Sequence, residues 1–327
     1  MLYARLAAGS VRPGAGRLLA LSPALAVLLA LQLAVPLYSA RGAAAFVFAW
    51  LGEFKLLLLA SGRGPLDLEL GPLPFVLTGA LPVKLLRHKK KSTDDDSSSP
   101  AASAAEKKKK TAAAYHLPLV SSSVKLAVME SLLVLLRDGR KDRMHRHAAF
   151  AAYGVLTYCV LDSALPCLAF DRPYLSSSLG DFWGRRWNLM ASAVLRPAVY
   201  DPVRARAGAP AGVLATFLVS GLMHEVVAWY IAFRPPTPTG RLTAFFLLHG
   251  AAVCAERRLA RVVAVARPPL LPRVVATPLV LGFVAGTAFW LFFPSLFGGG
   301  NDDRFIEELS MMLSYAVDAG GRLLRLG

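Results

Sequence analysis

The chain has 327 residues, of which 55% are hydrophobic, and its mean hydropathy is +0.48. A soluble globular protein is typically about 45–50% apolar even with glycine counted, and here the excess is concentrated in long runs. The formal net charge is +16, from 37 Lys and Arg against 21 Asp and Glu. These features argue against a soluble enzyme and a nucleic-acid partner, and they favour a membrane protein with basic loops.

Two long uncharged runs bound the apolar part of the chain, Leu18 to Tyr38 and Val274 to Phe297. Each exceeds the roughly 20 residues that cross about 30 Å of hydrocarbon. A cleaved signal peptide is the alternative for the first run, which is longer than the typical apolar region of about 7–15 residues. Six weaker candidates lie between them: Ala43–Ala60, Pro72–Leu86, Pro118–Leu136, Ala148–Phe170, Ala211–Phe233 and Leu242–Ala255. The sequence thus predicts an all-α polytopic transmembrane helical bundle of about eight to nine membrane helices, in one domain over residues 1–327.

Basic residues cluster between the apolar stretches. Residues 87–110 carry eight Lys and Arg against four acidic residues, and their Ser- and Ala-rich composition predicts a disordered charged loop. Arg137–His147 and Arg257–Arg273 are also basic, which the positive-inside rule explains by loops on the cytosolic side, facing anionic lipid. Because Pro118–Leu136 has a basic loop at each end, it either dips into the membrane and returns or lies in the interface as an amphipathic helix.

The three cysteines, Cys159, Cys167 and Cys254, lie in or at the end of apolar stretches. Their number is odd and their spacing is not that of a metal site, so the sequence predicts free buried thiols. No internal repeat is visible in the chain, which weakens the hypothesis of a transporter built from two duplicated halves.

The most informative polar group lies in FLVSGLMHEVVAWY, residues 217–230. An ionisable side chain at membrane depth is costly, so His224 is a functional candidate. Ser220 lies one turn earlier on the same helical face, and Gly221 permits close approach by a ligand or another helix. The residues alone leave two interpretations of His224 open: a catalytic group, or a histidine that hydrogen-bonds a neighbouring helix. Glu225 points in another direction and is expected to support the site from behind or to hydrogen-bond another helix.

Several familiar catalytic motifs are missing from the sequence. A zinc-protease HExxH motif is excluded at His224, because Ala228 occupies its last position. There is no GxSxG serine-hydrolase elbow, no HxxxxD arrangement, no Walker loop and no histidine-rich di-iron cluster. What remains is one neutral imidazole in an apolar setting, which suits removal of a proton from a hydroxyl group.

Residues 181–188, DFWGRRWN, place tryptophans and arginines together in a mostly apolar chain. If this stretch forms a short helix at the membrane surface, Trp183 and Trp187 share one face and can anchor it at the headgroups. Arg185 and Arg186 then project toward water, where they can meet phosphates.

Asn188 ends this stretch, one turn after Gly184. Its amide offers both a donor and an acceptor, so it can orient a substrate or hold a carbonyl oxygen. General physical arguments favour the plainer alternative, in which the whole stretch is an interfacial anchor helix that takes no part in chemistry.

Three motifs together resemble a known family. They are SLGDFWGRRWNLMASAVLRPAVYDP at residues 178–202, FLVSGLMHE at 217–225, and LLHG at 247–250 followed by Glu256. In this order they resemble the plant wax synthase branch of the membrane-bound O-acyltransferase family. The resemblance implies a polytopic helical fold, a multi-pass location in the endoplasmic reticulum membrane, and transfer of a fatty acyl group from coenzyme A to a long-chain fatty alcohol.

The resemblance also implies roles for individual residues. The catalytic histidine of the family maps onto His224, which would take the proton of the alcohol as a general base. The asparagine motif maps onto Asn188, which would orient substrate or stabilise negative charge. Six more residues are expected to bind substrate: Trp183, Arg185, Arg186, Trp187, Ser220 and Glu225. Either the two arginines of this set or the arginines after Glu256 would hold the coenzyme A phosphates.

Fatty acyl-CoA, a fatty alcohol and the lipid bilayer are the expected partners. No metal and no bound cofactor is expected, because the thioester of the co-substrate acyl-CoA already supplies an activated acyl group. His249 is expected to have a structural hydrogen-bonding role. The chain departs from the family pattern at Gly180, where a glutamine is expected, and at residues 87–110, which are longer and more charged than expected.

Alternatives remain open at this point. Within the same chemistry, the acceptor could be a sterol or a diacylglycerol. In a different class of protein, His224, Glu225 and Glu256 would form a proton or substrate path through a transporter. A membrane scaffold that has kept the fold and lost the activity is a further alternative, and the intact His224 and Asn188 count weakly against it.

Overall fold

The computed structural model describes residues 1–81, 124–137, 144–164, 170–232, 239–264, 272–298 and 301–324. Within these ranges the backbone forms helices and turns, and it forms no β-strand. The helices are α1 (Leu2–Ser10), α2 (Ala15–Ala34), α3 (Tyr38–Ala60), α4 (Pro72–Ala80), α5 (124–136), α6 (Arg146–Ala164), α7 (Leu179–Asp181), α8 (Leu189–Leu195), α9 (Asp201–Ala232), α10 (Arg241–Ala264), α11 (Arg273–Phe297) and α12 (Asn301–Leu324). The predicted all-α class is confirmed, and each of the eight apolar stretches contains all or part of a helix.

Four helical segments are long and apolar enough to cross a membrane. They are α2, α3, the stretch Leu189–Ala232 that runs from α8 through α9, and α11. The chain is therefore a helical membrane protein. The predicted count of eight to nine membrane helices is not confirmed, because in the described part of the chain only these four segments meet both the length and the hydropathy requirement.

The stretch Leu189–Ala232 is not one straight helix. Its 44 residues exceed twice the roughly 20 that one crossing needs. Gly208 interrupts α9 with φ 84° and ψ 171°, and Pro210 follows two residues later. A positive φ of this kind is accessible to glycine because it lacks a Cβ atom. The interruption separates a first part of α9, which follows α8, from a second part that carries His224.

The chain divides into two compact units, one of Met1–Lys84 with Pro166–Gly327 and one of Leu85–Leu165. The smaller unit contains α5 and α6, which an ion pair between Lys125 and Asp162 connects. The loop predicted at 87–110 lies outside the described residues. The division into compact units does not test the prediction of a single domain over residues 1–327, which remains a prediction. Among the cysteines, Cys159 is a free buried thiol as predicted, Cys254 is free but only partly buried, and Cys167 lies outside the described ranges.

In the larger unit, charged side chains bind the ends of helices. Lys55 of α3 is buried, and its Nζ donates to the carbonyl oxygens of Thr78 and Leu81 at 2.6 and 2.7 Å, at the carboxyl end of α4. Glu308 of α12 accepts hydrogen bonds from the backbone N–H groups of Tyr38 and Ser39 at the start of α3. Helix ends leave such backbone groups unpaired, so these side chains satisfy them where water is scarce.

Close packing of α9 against α10 positions the second half of α9. A Cβ atom on Gly221 would lie 2.7 Å from the Cα of Thr243, and one on Gly250 would lie 2.9 Å from the Cβ of Phe217. Phe217 precedes Gly221 on α9, whereas its partner Gly250 follows Thr243 on α10. The two helices are therefore antiparallel. Missing side chains at these positions let the backbones approach, as small residues do between membrane helices.

Candidate active site

A cavity of about 390 Å³ lies between α8, α9 and α10. This volume lies within the range of roughly 300–1,000 Å³ that is usual for sites that bind small molecules. Five of the eight predicted site residues line it: Trp183, Trp187, Asn188, Ser220 and His224. The remaining three do not line it: Arg185, Arg186 and Glu225. Folding therefore brings together two motifs that are separated in the sequence, and it leaves the paired arginines outside.

One face of α9 forms a long wall of the cavity. Val213, Thr216, Phe217, Ser220 and His224 line it. Their spacing of three or four residues places them along one side of the helix. Eleven residues separate the first from the last, which corresponds to roughly 16 Å at 1.5 Å per residue. The cavity is accordingly elongated, with His224 at one end of this wall.

The imidazole of His224 is oriented by its own helix. Its Nδ1 lies 2.7 Å from the carbonyl oxygen of Ser220, one turn earlier. A carbonyl oxygen can only accept, so Nδ1 carries the proton in this bond and Nε2 keeps its lone pair. The rings of Trp50 and Phe246 flank the imidazole, with centroids at 4.8 and 4.3 Å. This geometry holds a basic nitrogen in an aromatic setting beside the cavity.

Asn188 lies in a backbone conformation that few residues adopt. Its φ of 43° and ψ of 67° are left-handed, a region in which asparagine is several-fold enriched. Its Oδ1 accepts a hydrogen bond of 3.1 Å from the N–H of Ala191 and so caps α8. The oxygen is thereby occupied, and the amide nitrogen of this cavity-lining side chain remains a donor.

Trp183 and Trp187 share the cavity wall, with ring centroids 6.3 Å apart. The indole Nε1 of Trp183 donates to Nδ1 of His249 at 3.0 Å. His249 is fully buried and therefore has the structural hydrogen-bonding contact that the sequence predicts. Trp187 stacks on Phe182, with centroids 5.3 Å apart and an angle of 15° between the rings.

The two arginines of DFWGRRWN bind within their own segment. Arg185 and Arg186 place Nε at 3.0 and 2.7 Å from the carboxylate oxygens of Asp181. Arg186 also donates to the carbonyl oxygens of Asp171 and Arg172. Burial alone would raise the pKa of the Asp181 carboxyl, but the hydrogen bond and charge of Arg186 and the charge of Arg185 outweigh it, so this pKa lies below its usual value. Through these contacts the two arginines stabilise the segment that precedes α8.

Two glutamates of this region bind backbone N–H groups. Glu225 is buried, and its Oε1 accepts from the N–H groups of Leu242 and Thr243 at 3.0 and 3.2 Å, at the start of α10. This is the interhelical hydrogen bond expected of Glu225 as one alternative, and it turns the carboxylate away from the cavity lining. Glu256 of α10 accepts from the N–H groups of Leu179 and Gly180 at 2.9 and 2.8 Å and so attaches the turn before α8.

The end of the cavity farthest from His224 is basic. Arg257 of α10 and Arg196, just after α8, both line it. Tyr200 lies there too, because its ring contacts Gly212 near the start of the α9 wall. The guanidinium carbon of Arg196 is 5.9 Å from the centre of the Tyr200 ring. Because Nε of Arg196 also lies 3.8 Å from a carboxylate oxygen of Asp201, Arg257 is the main source of positive charge for an anionic ligand at this end.

Several lining residues were not identified from the sequence. Trp50, Phe217 and Phe246 lie in apolar stretches, where nothing in the pattern distinguishes a cavity wall from a packed core. Arg196 and Tyr200 follow the DFWGRRWN motif closely, and their spacing of four residues on one helical face was the available signal. Arg257 is the first of the arginines that follow Glu256, which the sequence offered as an alternative phosphate site.

The fold and the cavity define a class of protein: a helical membrane protein with a histidine and an asparagine that line one elongated cavity. Residues 166–248, which carry both motifs, match the membrane-bound O-acyl transferase family. Together with the relatives described next, this match shows that the chain belongs to the membrane-bound O-acyltransferase family, in its long-chain-alcohol acyltransferase branch.

Curated relatives match nearly the whole chain. The long-chain-alcohol O-fatty-acyltransferase of Simmondsia chinensis is 35% identical, over 92% of this chain and 87% of its own length. The probable long-chain-alcohol O-fatty-acyltransferase 3 of Arabidopsis thaliana is 32% identical, over 93% and 88%. The acyl-CoA–sterol O-acyltransferase 1 of the same plant is 28% identical, over 86% and 83%. No solved structure matches this chain. The protein is thus an acyltransferase of this family.

Proposed function

We propose that the protein transfers a fatty acyl group from acyl-CoA to the hydroxyl group of a long-chain fatty alcohol and forms a wax ester. The relatives named for this activity support the substrate class. The observation that carries the proposal is the shared cavity, which both His224 and Asn188 line, with Nδ1 of His224 and Oδ1 of Asn188 each held by a backbone group. We also propose that the protein lies in the endoplasmic reticulum membrane, the location that the family resemblance implies.

His224 is the general base in this mechanism. The alcohol O–H donates to Nε2 of His224, and the imidazole takes this proton as the alcohol oxygen attacks the thioester carbonyl carbon. The tetrahedral intermediate then collapses, the carbon–sulfur bond breaks, and the ester is released. The imidazolium returns its proton to the coenzyme A sulfur, so the histidine is regenerated. Such a base typically contributes about 10²–10⁴ in rate.

Asn188 has a separate role in the same step. Because its Oδ1 is occupied by the N–H of Ala191, its side chain offers an N–H donor toward the cavity. This donor stabilises the negative charge that develops on the carbonyl oxygen. One donor of this kind is typically worth about 10²–10³ in rate. The left-handed backbone and the cap hold the donor in place before substrate arrives.

The acyl-CoA lies along the α9 wall in this proposal. Its phosphates bind Arg257 and Arg196 at the basic end, and its thioester reaches His224 at the other end. This replaces the expectation for Arg185 and Arg186, whose guanidinium groups bind Asp181 and do not line the cavity. Trp183, Trp187 and Ser220 contact the substrate. The chemistry needs no metal and no bound cofactor besides acyl-CoA as co-substrate.

A sterol is the second candidate acceptor, because one relative that matches most of the chain is named for sterol acylation. The mechanism is the same, since a sterol also presents one hydroxyl group.

The test uses microsomes from cells that lack their own ester synthases. Labelled palmitoyl-CoA is supplied with a panel of fatty alcohols, a sterol and a diacylglycerol, and wild type is compared with His224→Ala. Labelled wax ester made by wild type alone supports the proposal. Label in sterol ester or triacylglycerol keeps the mechanism and changes the acceptor. If well-expressed wild type makes no ester, the proposal is wrong, and a flux assay tests the transporter alternative.

A further inference from the structure

A chain of hydrogen bonds behind the cavity ends on Trp183. The indole Nε1 of Trp183 donates to Nδ1 of His249 at 3.0 Å, which leaves the ring proton of His249 on Nε2. Nε2 lies 2.9 Å from the hydroxyl of Thr287 on α11, and that hydroxyl donates to the carbonyl oxygen of Phe283 at 2.7 Å. The same hydroxyl also lies 3.1 Å from the carbonyl oxygen of Val284. Three elements are thereby linked: the turn before α8, α10 and α11.

These hydrogen bonds determine which atoms of the Trp183 side chain can face the substrate. The indole has one polar group, its N–H, and His249 occupies it. The part of Trp183 that lines the cavity is therefore carbon only. Its ring is also enclosed by Phe217 and Phe246, with centroids at 5.7 and 5.6 Å. Hydrogen bond and rings together hold a large apolar side chain in one orientation against the cavity.

Loss of the hydrogen bond would release this wall. A buried indole N–H without an acceptor carries a desolvation cost, so the ring would turn until its N–H reaches water or the cavity. Movement of a side chain as large as tryptophan would change the width of a cavity of about 390 Å³.

We infer that Thr287 and His249 are positioning residues that hold Trp183 as the apolar wall of the cavity, and that this wall binds the acyl-CoA between its phosphates and its thioester. The inference rests on the proposed function for the identity of the ligand, a long-chain acyl thioester. His249 acts through Trp183 and transfers no proton to the substrate.

The experiment measures kcat, KM and direct binding for acyl-CoA of 12 to 24 carbons, with one fatty alcohol, on purified full-length protein in lipid nanodiscs. The variants are His249→Ala, His249→Gln, Thr287→Val, Trp183→Phe and the double variant of Trp183→Phe with His249→Ala. Glutamine can accept from the indole and donate to Thr287, so His249→Gln is the conservative rescue. Thr157→Val is the matched control, because its buried hydroxyl has no hydrogen-bond partner among the described residues.

His249→Ala is expected to raise KM for acyl-CoA about fivefold to tenfold at every chain length, as for one lost buried hydrogen bond, while kcat stays within about threefold. Thr287→Val should act in the same direction with a smaller effect, and His249→Gln should restore the wild-type profile. The double variant should be no worse than His249→Ala, because both changes break the same bond.

Equal profiles for His249→Ala and wild type, with normal yield of folded protein, would overturn the inference. So would additive effects in the double variant, or a glutamine variant that behaves like alanine. Binding separates the two proposals: if wild type binds acyl-CoA and makes no ester, the proposed function alone is wrong, and the binding profiles of the variants still decide the role of His249. A wild type that binds no acyl-CoA would contradict both.

Discussion

The two ends of the cavity differ in almost every physical property. At one end, His224 lies among Trp50, Phe246 and its own helix, and its one polar contact within the described part of the chain is a backbone carbonyl. At the other end, Arg257 and Arg196 are exposed, and the guanidinium carbon of Arg196 lies 5.9 Å from the centre of the Tyr200 ring. An apolar end keeps an imidazole neutral and ready to accept a proton, whereas a basic, wet end attracts an anion.

The catalytic group and the phosphate-binding groups thus lie at opposite ends of the wall that α9 forms. A substrate with a charged head and a reactive thioester at a distance can engage both ends at once. Substitutions at the apolar end should therefore change kcat, and substitutions at the basic end should change KM. The following predictions test this division, beginning with the largest effect.

His224→Ala should lower kcat by at least about 10²-fold, because the general base is lost. Membrane insertion and KM for acyl-CoA should change little, since the basic end is intact. Single-turnover ester formation measures the effect. His145→Ala, an exposed histidine before α6, is the control and should keep wild-type activity. If His224→Ala kept more than about a tenth of wild-type kcat, another group would have to be the base.

Asn188→Asp separates the cap from the donor. An aspartate can still cap α8 through its carboxylate, but it cannot donate an N–H to the carbonyl oxygen. We expect kcat to fall about 10²–10³-fold while the midpoint of thermal unfolding stays close to wild type. Asn188→Ala should lose both activity and stability. An aspartate variant as active as wild type would reduce Asn188 to a structural cap.

Arg257→Gln should raise KM for acyl-CoA about tenfold, as for one lost charge-assisted hydrogen bond, with kcat within about twofold of wild type. The effect should shrink as salt is added, because salt screens exposed charges. Arg63→Gln, an exposed arginine in the loop after α3, is the matched control. A fall in kcat with unchanged KM would show that the two ends are not divided as described.

Gly221→Ala should have the smallest effect. The new Cβ atom would lie 2.7 Å from the Cα of Thr243, so α9 or α10 must shift. Overpacking of this kind costs about 1–3 kcal/mol and should lower the unfolding midpoint by about 2–6 °C, with a modest loss of kcat through displaced His224. Gly282→Ala on α11, where a Cβ meets no atom within 4 Å, is the control. Equal midpoints for both variants would contradict the packing argument.

Much of this protein was determined by the sequence itself. Long uncharged runs have few physical outcomes besides membrane helices, so the all-α class followed from composition and length. The placement of His224 in an apolar stretch made it a candidate before any neighbour was known, and the motif around Asn188 identified the family. Gly221 beside His224 also predicted a close helix contact, which α10 supplies.

Only the tertiary structure decided which side chains face the cavity. The arginine pair of DFWGRRWN suggested a phosphate site, but Asp181 lies one turn away and binds both guanidinium groups. Glu225 follows His224 directly, yet it points toward the N-terminus of α10. The orientation of a side chain depends on the residues that pack against its helix. Those residues can be far away in the sequence, so the local sequence pattern does not identify them.

The same reason explains the residues that the sequence did not reveal. Trp50 and Phe246 reach His224 from α3 and α10, and an apolar side chain looks alike in sequence whether it meets a core or a cavity. The separation of an apolar catalytic end from a basic end arises because α8, α9 and α10 pack side by side. Residue types alone indicated which side chains could act in catalysis. Their arrangement around one cavity depends on how the helices pack.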